Sequence, residues 1–270
     1  MSPKLSKLRI YPIKSLDPVE LEAAEVGVSS LRYDREFGLL AQDGHFVNGK
    51  RTGRVNELKA TYDLQSHTVH LCSRTTERVY SFHLANEQQS LEAYLTTFFG
   101  EPISLVHNKI GQLMDIPDES SVTVTSLATL QSLQRDLPDK SLENLRLRFR
   151  ANIELDGAEA FWEETNLLGT PGTGIQFSIG DVEMIGVSPR ARCNVPPRDP
   201  MTGIPDKSFI KQMMKSRSNS LPPKSLILKF GPLYQLTVNV HVPTPQNGKW
   251  LHVGDPVKII GPIDLKEVFE

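Results

Sequence analysis

Apolar positions in the first hundred or so residues recur at the two-residue spacing of half-buried strands. Residues 8–13 and 37–41 are short apolar and aromatic runs bounded by polar turns, and 58–64 and 68–72 alternate around the turn Gln65-Ser66-His67. Residues 78–84 continue the pattern, and five strands in about 80 residues predict a small barrel or a twisted sheet. The period then changes. Leu91, Leu95, Phe98 and Phe99 fall at helical spacing and stop at Gly100, which predicts a helix over 88–99.

Beyond residue 100 the two periods mix. Strands are predicted at 104–106, 122–124 and 153–155, and a helix over 126–135 carries Leu127, Leu130 and Leu133 on one stripe and ends before Pro138. A short helix is expected at 161–166, and Gly180-Asp181 joins 177–179 to 182–187 as a hairpin. A proline-rich loop follows over 190–203, and loops of that length are usually functional or disordered. Residues 211–224 are polar, serine-rich and basic and predict a mobile insert, after which strands return at 226–230, 233–242 and 257–260. The expected class is mostly β with a few helices, α+β. The helix over 88–99 closes a first, β-barrel-like module over 1–105, and residues 106–270 form a second module.

Composition narrows the function classes. The 270 residues suffice for one large domain or two modest ones, and 39% apolar with 23% charged is ordinary for a globular chain. A formal net charge of −2 favours neither nucleic acid nor an anionic membrane as partner. No apolar stretch approaches the roughly 20 residues of a membrane span. The N-terminal residues lack an apolar signal core, so a cytoplasmic location is expected. Two cysteines, Cys72 and Cys193, exclude a disulfide framework and a thiolate zinc or iron–sulfur cage. Any cysteine chemistry rests on a single thiol.

Four segments carry candidate chemistry. Lys14-Ser15 at a strand end offers an ammonium and a hydroxyl to a phosphate, and reads equally as a surface lysine beside a turn cap. Arg32-Tyr33-Asp34-Arg35 is either a surface ion pair or a network that aims one guanidinium at an anion. Arg146, Arg148 and Arg150 share one face if the segment is extended, and three like charges there call for an anion or for solvent. Arg190-Ala191-Arg192-Cys193 leads into Pro196-Pro197-Arg198-Asp199-Pro200. Arginines just before a cysteine favour the thiolate, the form that binds soft metals, and the prolines hold the loop. Cys72, in a strand beside Leu71, reads as structural. The seven histidines form no convincing metal or triad arrangement, and Gly169–Gly174 lacks the Lys-Ser/Thr of a phosphate loop.

Taken in order, Tyr11-Pro12-Ile13-Lys14-Ser15, Tyr33-Asp34-Arg35, Arg148-Phe149-Arg150-Ala151-Asn152, Ile179-Gly180-Asp181-Val182, Ala191-Arg192-Cys193 and Val253-Gly254-Asp255-Pro256-Val257 resemble the MOSC family. That family is named for the C-terminal domain of molybdenum cofactor sulfurase. The likeness is greatest to its two-module members, which include the mitochondrial amidoxime-reducing component, and it implies an N-terminal β-barrel module over 1–105 and a MOSC β-barrel over 106–270. The resemblance implies that Cys193 ligates molybdenum and that Lys14, Ser15, Arg35, Arg150, Asn152 and Arg192 contact the pterin or its phosphate, with Ser120 or Ser121 a further contact. It implies a molybdenum-cofactor oxidoreductase that reduces a small N-oxygenated substrate, with a separate electron-transfer protein as donor. Asp199 is the candidate to orient substrate or relay protons, or else a turn cap before Pro200.

Three departures bear on substrate choice. Pro196 and Pro197 stand where relatives tend to carry two threonines, either Leu233 or Tyr234 fills a tyrosine position after Phe-Gly, and the basic insert is extra. Two rivals stay open: a carrier that delivers cofactor or sulfur on Cys193, and a cofactor-free interaction module. Pyridoxal phosphate is a family-level association only, since it belongs to another domain of the sulfurases and no Schiff-base lysine context is visible here.

Overall fold

A computed structural model describes residues 2–108, 113 and 121–269. In chain order the elements are β1 (Lys4–Ile10), β2 (Val19–Leu21), β3 (Ala23–Glu25), β4 (Phe37–Ala41), β5 (Leu58–Asp63), β6 (Thr68–Ser73), β7 (Tyr80–His83), α1 (Gln88–Phe99) and β8 (Ile103–His107). They continue with β9 (Val122–Ser126), α2 (Leu127–Asp136), α3 (Leu142–Phe149), β10 (Ile153–Asp156), α4 (Trp162–Asn166), β11 (Thr173–Ile179) and β12 (Val182–Ala191). The last are α5 (Phe209–Ser220), β13 (Gln235–His241), β14 (Trp250–His252), β15 (Val257–Asp264) and α6 (Leu265–Phe269). The class is mixed α+β, as the two periods predict.

One eight-stranded sheet, ordered β15-β11-β12-β13-β9-β10-β1-β2, forms the larger body. It curls back on itself: Leu5 N–H donates to the Asp255 carbonyl at 2.9 Å and Val257 N–H to Pro3 at 2.9 Å, so the start of β1 meets the lead-in to β15. The alternating apolar residues of its strands, among them Leu8, Ile10, Val124, Ile153, Phe177 and Val238, close a core inside. A second core gathers Ile13, Leu39, Leu58, Val69, Leu71, Leu91, Leu95 and Leu105 between the β4–β8 pair, the β5-β6-β7 sheet and α1. A third lies under α2, α3 and α5. The expected break at 105/106 is therefore crossed by the chain's first strands. β1 pairs antiparallel with β10 and β2 with β1, so N-terminal residues complete the larger sheet, while β3 pairs with β14 in a separate two-stranded sheet.

Three local expectations are corrected. The segment holding Arg146 and Arg148 is helical, not extended. Ser141 accepts from Asn144 N–H as its N-cap, and Leu145 and Phe149 bury the apolar stripe. Residues 211–220 of the expected mobile insert are instead part of α5, which buries Phe209, Met213, Ser216 and Arg217. Residues 227–230 form a 3-10 turn rather than a strand. Among the described residues no helix is long and apolar enough to cross a membrane.

Candidate active site

The two bodies and the helical layer meet around one cavity of about 400 Å³. Its walls come from distant segments: Lys14 and Ser15, Arg35, the 48–50 loop, Arg148–Arg150 at the end of α3, and Arg190–Cys193 at the end of β12. The Cys193 thiol is free and exposed at this cavity. Eight of the lining side chains are cationic and, among the described residues, none is a carboxylate.

The cysteine loop is held from several sides. Arg148, buried, donates to the Pro196 carbonyl at 2.6 Å and to the Arg198 carbonyl at 2.8 Å. Tyr234 hydroxyl donates to the Cys193 carbonyl at 3.1 Å, which gives that residue, rather than Leu233, the contact with the loop. Arg198 Nε donates to the Gly49 carbonyl at 2.7 Å, tying the loop to the other body. Gly203, at φ +71, packs so closely that a Cβ there would lie 2.2 Å from the Gly53 carbonyl oxygen. Only glycine allows both that conformation and that approach.

The cavity arginines rest on buried groups. Asp34, fully buried, pairs with Arg35 at 2.5 Å and accepts the Tyr11 N–H at 2.8 Å. Arg35 and Arg150 both pack on the Tyr11 ring, at 4.7 and 3.9 Å from its centroid. Arg150 also donates to the Leu16 carbonyl at 2.9 Å. Arg192 lies 5.2 Å from the Phe149 centroid and donates to Thr237 Oγ1 at 2.8 Å. Burial, and next the neighbouring Arg190 charge, pull the Arg192 guanidinium down to about 9. Burial likewise lowers Arg148 and Arg150. These are cations held in place at a cost that a bound anion would offset.

The residues expected from the sequence divide as follows. Lys14, Ser15, Arg35, Arg150, Arg192 and Cys193 line the one cavity. Asn152 does not line it; buried behind, its Oδ1 accepts from Arg35 at 3.3 Å and from Thr123 N–H at 3.2 Å. Asp199 does not line it either. Its Oδ1 accepts the N–H groups of Met201 and Thr202, both at 3.0 Å, and its Oδ2 lies 3.5 Å from Arg148. This is the turn-capping role. Ser120 lies outside the described residues, whereas Ser121 accepts the Val242 N–H at 3.1 Å and reads as structural. Arg146, read with the other two arginines, turns away to Glu154 at 2.7 Å. Sequence reasoning missed Thr237, which accepts from Arg192 behind the cavity, and Leu113, which forms part of its wall. Neither carries a local signal, since their roles exist only through long-range pairing.

Three backbone outliers coincide with this site. Ser15 (φ 75), Arg35 (φ 53) and Arg150 (φ 54) adopt left-handed conformations, and each lines the cavity. Such strain persists where the surroundings over-determine it and clusters at functional sites. The donor set has a defined character. Among the described residues no group of three or more His, Cys, Asp or Glu side chains is placed to hold a metal ion. Cys193 is a single soft donor, so a metal held there would have to bring its other ligands on an organic anion. Arg192 Nε, buried without a hydrogen-bond partner, is a donor such an anion would satisfy.

The mitochondrial amidoxime reducing component 2 of Bos taurus is 28% identical over 94% of this chain and 82% of its own length. The mitochondrial amidoxime-reducing component 1 of Homo sapiens is 24% identical over 95% of this chain and 83% of its own. The molybdenum cofactor sulfurase of Homo sapiens is 23% identical over 80% of this chain but only 29% of its own length. The MOSC N-terminal beta barrel domain matches residues 2–102 and the MOSC domain matches residues 81–258, so the chain belongs to the MOSC domain family.

Proposed function

We propose that this chain is a molybdenum-cofactor oxidoreductase that reduces small N-oxygenated substrates with electrons from a separate donor protein. One observation carries the reading: a free, exposed Cys193 thiol stands at a 400 Å³ cavity whose charged lining is entirely cationic among the described residues. The relatives named as amidoxime-reducing components support it along nearly the whole chain. The cofactor, when bound, supplies the two-electron exchange that reduces an N–O bond and releases the oxygen as water.

The chain's own residues do the holding. Lys14, Ser15, Arg35, Arg150 and Arg192 bind the anionic pterin part, with Asn152 and Tyr11 fixing the arginines. Cys193 supplies the sulfur ligand, and Arg148 and Arg198 keep its loop in place. Buried Pro196 and Pro197 shape the loop, so substrate preference is expected to differ from relatives with hydroxyl side chains there.

The exposure of Cys193 also suits a carrier that hands on cofactor or sulfur. The two readings part on one experiment, with the chain expressed in cells that make the cofactor. Molybdenum and released pterin in equal amounts, with the metal lost in Cys193→Ser, supports the enzyme. Pterin bound without any dependence of metal on Cys193 supports the carrier. Neither metal nor pterin sinks both. Reduction of an amidoxime panel with an artificial electron donor then tests the substrate class.

A further inference from the structure

The β12–β13 ladder is irregular beside the cavity. Pro189 faces Val238 and Ala191 faces Gln235, so β13 carries one more residue than β12 between these pairs. A bulge of this kind re-aims a side chain next to a site. Thr237 lies in the bulge, fully buried, at φ 70. A β-branched residue in that region is a genuine outlier, and glycine would take the same conformation without the cost.

What threonine supplies there is its hydroxyl. Thr237 Oγ1 accepts from Arg192 Nη2 at 2.8 Å, while Phe149 packs on the same guanidinium. The backbone N–H of Arg192 is fixed as well, donating to the Tyr234 carbonyl at 3.0 Å. The guanidinium is thus set by a hydroxyl and a ring, with Nε buried and unpartnered. Nothing else about Thr237 calls for a hydroxyl: it is enclosed, and its neighbours Leu236 and Val238 are apolar core residues.

We infer that Thr237 is a positioning residue, whose strained, bulged backbone delivers a hydroxyl that orients Arg192 toward the phosphate or other anionic group bound in the cavity. This rests on reading the cavity as an anion-binding cofactor site, and deepens it by naming what aims one of its anchors.

The test uses the full chain and three variants. Thr237→Ser keeps the hydroxyl, Thr237→Val keeps shape and strain without it, and Thr237→Gly removes both strain and hydroxyl. Inorganic phosphate is titrated calorimetrically into protein made in cells that cannot synthesise the cofactor. Pterin retained after dialysis and melting midpoints are measured on protein from cells that can. A hydrogen bond to a charged group predicts phosphate binding about tenfold weaker in Thr237→Val and in Thr237→Gly, with Thr237→Ser close to wild type. Retained pterin follows the same order. Thr237→Ser retains binding while Thr237→Val, closer to threonine in shape, loses it, an order that a merely packing role would reverse. Wild-type phosphate affinity in the Val and Gly variants overturns the inference. Wild-type protein that retains no pterin, but whose phosphate affinities separate as predicted, overturns the molybdenum reading and leaves the positioning role standing. Wild-type protein that binds neither phosphate nor pterin overturns both.

Discussion

Asp199 follows Cys193 closely in the chain, and that nearness is what gave it a place among the candidate catalytic groups. In the fold its carboxylate serves the Met201 and Thr202 N–H groups and lies near Arg148. An amide oxygen serves the same turn donors, so Asp199→Asn is expected to retain reductase turnover within about twofold, the ordinary reach of a retained turn bond. A loss of turnover with molybdenum content unchanged would restore the proton-relay role. The lining residues were more legible. Lys14-Ser15, Arg35, Arg150 and Arg192-Cys193 sit in local motifs whose chemistry is readable one segment at a time. Their convergence was not, because it depends on Tyr11, Asp34 and Thr237 supporting them from other strands.

At the scale of elements, alternation marked the strands that have one buried and one wet face, such as β5 and β6, and the leucine stripes marked α1 and α2. α3 escaped because Arg146, Arg148 and Arg150 imitate a two-residue period while Leu142, Leu145 and Phe149 set the helical one. α5 escaped for another reason: part of its buried face is polar. Arg217 is fully buried and pairs at 2.6 Å with Glu164, which lies 53 residues earlier and is itself fully buried. Burial outweighs the Arg217 charge and pushes Glu164 up to about 7. Arg217 Nε and Nη1 and Glu164 Oε1 have no hydrogen-bond partner, so the pair is incompletely satisfied. Removing one partner strands the other, and Glu164→Ala is expected to cost about 3–5 kcal/mol in urea unfolding. Glu164→Leu combined with Arg217→Met should cost far less, since both charges leave the interior together. Equal losses in the single and the double variant would contradict this account of α5.

On the scale of the molecule, the cavity exists because loops of three cores converge on it, and the cysteine loop is the shared part. Its far end is fastened by Asp206, which accepts from Ser208 and pairs with Lys140 at 3.0 Å, while Asp206 N–H donates to the Pro197 carbonyl at 2.8 Å. The Ser208 hydrogen bond and then Lys140 hold the Asp206 carboxyl down at about 2, although partial burial opposes them. A depressed carboxyl stabilises the fold above its unfolded value near 3.8, and that contribution is lost as pH falls toward about 2. Wild-type protein should therefore exceed Asp206→Asn in unfolding stability at pH 6, and the difference should fade on acidification through that window. A gap that stays constant down to pH 2 would show that this carboxylate is not what fastens the loop. The central claim is that Cys193 and the cationic cavity together hold a molybdenum–pterin group, and its most direct measurement is metal and pterin content per chain in wild type and Cys193→Ser. The account predicts equal molybdenum and pterin in the wild type, with the metal lost in the variant while the arginines still retain pterin. Molybdenum content unchanged by Cys193→Ser, or a wild-type protein with neither metal nor pterin, would contradict it.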